Sequence, residues 1–157
     1  MRVFHGSTIA IEKPDVFHSR DNVDFGKGFY ATILQDQAER WCERFKREGL
    51  EAVVSVYTLD ETALSNYSVK RFESYSEEWL DFILACRSGQ DDSDYDVVEG
   101  GVANDRVFNT VELFFEGLID KEEAIKRLRF EKPNHQICFR SQKALEACLT
   151  YEGCVVL

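Results

Sequence analysis

The chain of 157 residues is long enough for one domain with its own core, and a 44% hydrophobic share with twelve Phe and six Tyr supplies the material. A formal net charge of −10 argues against unspecific binding to nucleic acid or acidic membranes, which requires a basic face. Five cysteines, an odd number without a CxxC pair, fit reduced thiols rather than a disulfide framework.

The opening MRVFHGSTIAIEKPD is too charged, and too short in apolar run, for a signal peptide, and no stretch is apolar enough to span a bilayer. The expectation is a soluble, cytoplasmic protein. RVFH, Arg2 to His5, predicts a first strand ended by Gly6 and Ser7. Ile9, Ile11 and Val16 then pass through Pro14 and Asp15 as an extended connection, and Ser19 to Val23 is polar loop.

Asp24 to Cys42, DFGKGFYATILQDQAERWC, is the stretch that organises the chain. Gly26 and Gly28 flank Lys27 in a turn that lets the backbone approach a ligand. Phe29 to Thr32 reads as a short strand. From Asp36, Ala38, Trp41, Cys42 and Phe45 recur at helical spacing, and Gly49 stops that helix.

Ala52 to Leu59 (AVVSVYTL) is a near-continuous run of β-formers and predicts a central strand buried on both sides. Tyr67 to Phe72 is a further strand. Ser76 caps a helix of Trp79, Leu80, Phe82, Ile83 and Leu84, apolar nearly all round and therefore buried. Ser88 to Asp94 reads as a solvated acidic loop, and Tyr95 to Glu99 as a strand stopped by Gly100 and Gly101. Val107 to Leu118 is helical. Asp120 with Glu123 has capping-box spacing before the helix of Ala124, Ile125 and Leu128. Pro133 separates it from a strand at His135 to Phe139; Ser141 caps a short helix, and Cys154 to Leu157 is a last strand. No repeat or linker interrupts residues 1–157, so one domain is expected. Strands and helices interleave without a repeating βαβ unit, which favours an α+β fold.

Two metal signals fail. Asp92, Asp94 and Asp96 alternate as in a calcium loop, but Val97 stands where glycine is needed and Ala103 where glutamate is. The histidines and cysteines have no zinc spacing, and no metal is expected. Lys46-Arg47, Lys70-Arg71 and Lys126 to Arg129 sit among acids and read as solvated faces.

His5-Gly6-Ser7, then FGKGFY, then Trp41-Cys42 together resemble the NAD-binding core of the ADP-ribosyltransferases, most closely the poly-ADP-ribose polymerase type. HQICF resembles that superfamily's third strand, with Gln136 where a glutamate is usual. The element order also resembles a bacterial family of unknown-function proteins assigned to the superfamily. The resemblance implies two small packed β-sheets forming a cleft with flanking helices. It implies NAD as substrate and transfer of a single ADP-ribose, with nicotinamide released, to an acceptor that is a protein, nucleic acid or small molecule. A toxin neutralised by a small antitoxin-like partner is a further implication.

On that resemblance His5, Tyr30 and Gln136 are the catalytic residues, and His5, Gly6, Ser7, Arg20, Gly28, Phe29, Tyr30 and Trp41 contact NAD. Gly6 presents its N–H and C=O to the carboxamide, His5 bonds a ribose hydroxyl, and Tyr30 and Trp41 wall the ring. For His5 the alternative is a satisfied core histidine, and for Trp41 a core anchor. Arg20 faces the diphosphate or solvent, and Lys27 steers phosphate or faces water. Gln136 keeps the hydrogen bond of a glutamate but loses its charge, at a cost of roughly 10² to 10³ in rate. Asp105 is a candidate compensating carboxylate, or an acid at a helix N-terminus. The competing function is a catalytically weak or inactive NAD or ADP-ribose reader; a third is an interaction domain that does neither.

Overall fold

The structure, a computed structural model, describes residues 1–21, 23–103 and 105–157, the Asp105 side chain excepted. It is α+β. The first sheet has the order β1 (Arg2–Ser7), β3 (Val53–Leu59), β7 (Leu149–Val156), all antiparallel. Its centre is β3, as the VVSV run predicts, because a strand flanked on both edges needs apolar side chains facing both ways. The second sheet runs β2 (Phe29–Ala31), β6 (Gln136–Phe139), β5 (Val97–Gly100), β4 (Val69–Arg71), with only the β4–β5 pair parallel.

The sheets face each other across a core in which Val3, Tyr57 and Leu59 meet Phe29, Ala31, Val97, Ile137 and Phe139. Two short helices, α2 (Glu61–Leu64) and α6 (Gln142–Cys148), close this core with Leu64, Leu145 and Cys148. The outer face of the first sheet is covered by α1 (Gln35–Arg47) through Ala38 and Cys42 against Ala52 and Val54. The outer face of the second carries α3 (Glu77–Arg87), α4 (Asp105–Phe115) and α5 (Lys121–Leu128), packed through Trp79, Leu80, Ile83, Val107, Val111 and Leu128. Among the described residues no helix is long and apolar enough to cross a membrane.

The predicted caps are in place: the side chains of Ser76, Asp120 and Ser141 accept from the N–H of Trp79, Glu123 and Ala144. Gly49 ends α1 at φ +78°, a conformation costly for any residue with a Cβ.

Several boundaries shift by a few residues, and three features of the sequence reading change. β1 continues through Gly6 and Ser7, which pair with Val54 and Val53, because the glycine there answers to a close helix rather than to a turn. β7 begins at Leu149, directly after α6, and absorbs Gly153 where its register with β3 shifts between Val56 and Tyr57. The Ser88 to Asp94 loop is not wholly solvated: Asp91 is a partly buried partner of Arg140 at 2.6 Å. Burial pushes the Asp91 carboxyl up, but its bonds to Ser93 and the charge of Arg140 outweigh this and hold it below the ordinary range.

The two tryptophans separate core from surface. Trp79 is fully buried, with its indole N–H donated to the Gly101 carbonyl, whereas Trp41 is 54% exposed. Trp79→Ala is expected to remove about 3–5 kcal/mol of unfolding free energy and Trp41→Ala no more than about 0.5, read from denaturant titrations.

Candidate functional site

The edge of β1 and the residue that follows β2 meet at one bridge. Phe4 N–H donates to the Thr32 carbonyl at 2.8 Å, and Thr32 N–H donates back to the Phe4 carbonyl at 2.9 Å. In an extended strand a residue's N–H and C=O point to the same side, and neighbours point to opposite sides. Phe4 faces away from β3, so Gly6, two residues on, also directs its N–H and C=O along the outer edge of the sheet.

Gly6 is required by what lies over it. A Cβ there would stand 2.7 Å from Cys42 Sγ, 2.8 Å from the Ala38 carbonyl oxygen and 3.2 Å from Trp41 Cδ1. Helix α1 therefore brings the exposed indole of Trp41 against the same edge. Cys42 is buried beneath, its thiol directed to the Val53 carbonyl at 3.5 Å and that of Ser7 at 3.8 Å. Trp41 is thus not the core anchor that its spacing with Ala38 and Phe45 allowed; Ala38 and Cys42 fill that role.

His5 points the other way, its ring stacked on Phe29 at 4.5 Å between centroids, with Nδ1 2.6 Å from the Tyr30 carbonyl oxygen. A carbonyl only accepts, so Nδ1 carries the proton. Burial draws the imidazole below its ordinary value of 6.5, against the upward pull of that bond, so the ring is neutral and Nε2 is a bare acceptor. Phe29 belongs to the core: it is 6% exposed and lies edge-on to Tyr57. It supports His5 and offers no open surface to a ligand.

Tyr30 alternates to the helical side of the second sheet, paired with Cys138. Its hydroxyl donates to the Gly26 carbonyl and accepts from Phe25 N–H at 3.0 Å, which ties the glycine loop to the strand. Burial pushes this phenol far above its ordinary value, so it stays protonated. Gly28 has no room for a side chain: a Cβ would lie 2.6 Å from Cys138 Sγ and nearer still to the Phe139 carbonyl oxygen. Its N–H is held by Ser19 Oγ at 2.8 Å, which brings Arg20 beside the loop, exposed. Lys27 is exposed and lies 4.0 Å from Asp21.

Gln136 is 8% exposed and donates from Nε2 to the Gly101 carbonyl at 3.3 Å. It shares a sheet face with Cys138 and Tyr30, while His135 turns to the other face. There His135 Nδ1 accepts from Ile33 N–H at 3.1 Å, leaving Nε2–H to donate to Glu99 at 2.7 Å. The structure thus brings together His5, the main chain of Tyr30, Gly6, Ser7 and Trp41, and separately Tyr30 with Gln136. Cavities of about 210 and 130 Å³ lie elsewhere, the first under Tyr75 and Leu128, the second lined by Val3, Leu64, Glu99 and His135. Neither is lined by His5, Gly6, Tyr30, Trp41 or Gln136, so the site is an open edge and not one of these hollows. Asp105, the candidate compensating carboxylate, starts α4, and its side chain lies outside the described residues.

Residues 1–151 match the model of a family described as a protein of unknown function, DUF3990. The chain belongs to that family. No curated protein and no solved structure matches it.

Sequence reasoning about this DUF3990 chain missed two ion pairs that fix its glycine loop. Arg87 donates from Nε and Nη2 to Asp24 Oδ1, at 2.9 and 2.6 Å, and from Nη1 to Glu112 at 3.0 Å. Arg140 bonds Asp91 and Ser93 and lies against Gly26. Partners 63 and 49 residues apart leave no local spacing to read. Arg44 was also missed, although its place three residues after Trp41 signals a shared helix face.

Two outcomes are expected. Gly28→Ala should destabilise by more than 2 kcal/mol, roughly the cost of forcing strain on a packed interior, because the opposing carbonyl is main chain. For His5 the folded state resists the proton that the unfolded chain takes up near pH 6.5. Stability is therefore complete above that pH and falls below it. Denaturant midpoints between pH 5 and 8 should lose part of this slope in His5→Gln.

Proposed function

We propose that the chain is a NAD-dependent mono-ADP-ribosyltransferase with the ADP-ribosyltransferase fold, NAD binding along the β1 edge. The observation that carries this reading is the open N–H and C=O pair of Gly6 beside the exposed face of Trp41. A primary carboxamide on a flat ring needs one donor, one acceptor and an aromatic wall, and these three stand together here. His5 Nε2 is the acceptor for a ribose hydroxyl.

In the reaction the C1′–N bond of the nicotinamide riboside breaks and nicotinamide leaves with the bonding electrons. The acceptor's lone pair then closes on C1′ and its proton passes to solvent. Gly6 and Trp41 hold the leaving group in place, which is where positioning supplies its share of the barrier. Gln136 shares the other sheet face with Tyr30 and does not line this edge, so the reading gives it no contact with the sugar there. A toxin held in check by a small partner protein in the cytoplasm extends this reading.

One observation favours a second reading, a reader that binds NAD or ADP-ribose without turnover. The Gln136 amide is committed to Gly101, and a glutamate there would set a carboxylate against that carbonyl. Gln136→Glu is therefore expected to destabilise by about 1–3 kcal/mol and to leave turnover unimproved. Nicotinamide release from NAD, followed by chromatography, separates the two functions. The enzyme reading expects release that falls at least about 100-fold in His5→Ala and in Trp41→Ala, the scale of lost transition-state positioning. Calorimetric NAD binding with no nicotinamide released would leave the reader, and neither would remove both.

A further inference from the structure

β7 is the outer strand of the first sheet and is paired on one side only, with β3. The direction of its backbone groups follows from the ladder. Leu157 N–H donates to the Ala52 carbonyl at 2.9 Å, so Leu157 faces β3. Alternation turns Val155 toward β3 as well, opposite Val54, and turns the N–H and C=O of Cys154 and Val156 outward. Among the described residues nothing bonds those outward groups. The register shift between Val56 and Tyr57 interrupts the ladder before Gly153, so the regular part of this open edge is short.

The edge is also unguarded. Natural sheets protect open strands with lysine, proline or a covering element. The free strand of the second sheet follows that rule: β4 is three residues long and carries Lys70 and Arg71. Residues 153–157, GCVVL, hold no charged side chain and no proline. Cys154, Val155 and Val156 are all exposed, the last at 64%. The neighbouring acid, Glu152, is held to its own sheet by Arg2 at 2.9 Å and by Thr58. In a chain of net charge −10, a neutral strand is where a second, equally acidic copy meets least repulsion.

We propose that two copies of this chain pair through β7, antiparallel, about a two-fold axis at Val155. Cys154 of one copy then exchanges both backbone hydrogen bonds with Val156 of the other, and the symmetric pair does the same. Every outward group of the two residues is used. The occupant is a second copy because the open residues lie evenly on either side of Val155, so the strand is its own complement. The two three-stranded sheets become one of six strands. Val155 meets its counterpart on the face that carries α1, at a non-hydrogen-bonded position where side chains approach most closely. A contact of so few residues belongs with interfaces below about 1,200 Å², so the dimer is transient and dilutes apart.

Sedimentation equilibrium of the full chain is the test, in reducing buffer so that Cys154 forms no disulfide. The average mass is expected to rise from one chain toward two across about a hundredfold range of concentration. Val155→Lys and Val155→Glu each set like charges against each other at the axis and should weaken association at least about tenfold. Mixed in equal amounts, the two variants should associate at least as tightly as the parent, because Lys then faces Glu. Cys154→Pro removes an outward N–H that the chain's own sheet does not use, and should also weaken the dimer. Thr150→Lys, on the same strand and face but with no residue opposite it in this pairing, should leave association unchanged. Far-UV circular dichroism that matches the parent shows that each variant is folded. A parent that stays monomeric to ~1 mM, or a Lys and Glu mixture no tighter than either variant alone, would overturn the two-fold edge. Dimers that survive both charge variants and are lost in Thr150→Lys would overturn it too.

Discussion

A single main-chain bridge, Phe4 to Thr32, joins the edge of one sheet to the residue just past the edge strand β2 of the other. It consumes the outward hydrogen bonds of Phe4 and fixes the direction of every residue after it on β1. Gly6 then faces outward along its backbone, and His5 turns its ring inward onto Phe29. The imidazole reaches the Tyr30 carbonyl, two residues before Thr32, so strand, tautomer and glycine loop are set by one geometry. Beside that bridge and the His5 bond, the sheets meet through a hydrophobic interface, which is non-directional and does not by itself fix the direction of one backbone pair.

Burial and openness are divided by helix α1. Its small residues, Ala38 and Cys42, let it approach Gly6 closely, and the closeness pushes the large residues Trp41 and Arg44 to the outside. The result is a stacked aromatic–cation pair at the rim of an acidic molecule. On the other side of the glycine loop the cations have the opposite fate. Arg87 and Arg140 are partly enclosed with carboxylates, and such pairs contribute more to holding one geometry than to net stability. Their geometry is that of the loop: Asp24 at its start, Gly26 in its middle.

The cap serines, the aspartate at 120, the helix stop at Gly49 and the central position of β3 were all legible in the chain, because each depends on residues within a few positions. The glycine loop was legible as a close approach, though not what it approaches. Gly6 was misread as the end of a strand, since a glycine that makes room for a helix and one that turns a chain look alike in sequence. The acidic loop was misread at Asp91, whose partner lies 49 residues away.

The site divides in the same way. Local sequence determined that a histidine, a glycine, an aromatic strand and an aromatic helix position would occur in this order, along with the α+β class. Only the tertiary structure decided that Trp41 is exposed while Phe29 is core, that Gln136 faces Gly101, and that Arg44 stacks on Trp41 with no carboxylate partner among the described residues. Those outcomes depend on which surfaces meet, and packing and charge pairing act through space, between residues that the chain itself keeps far apart.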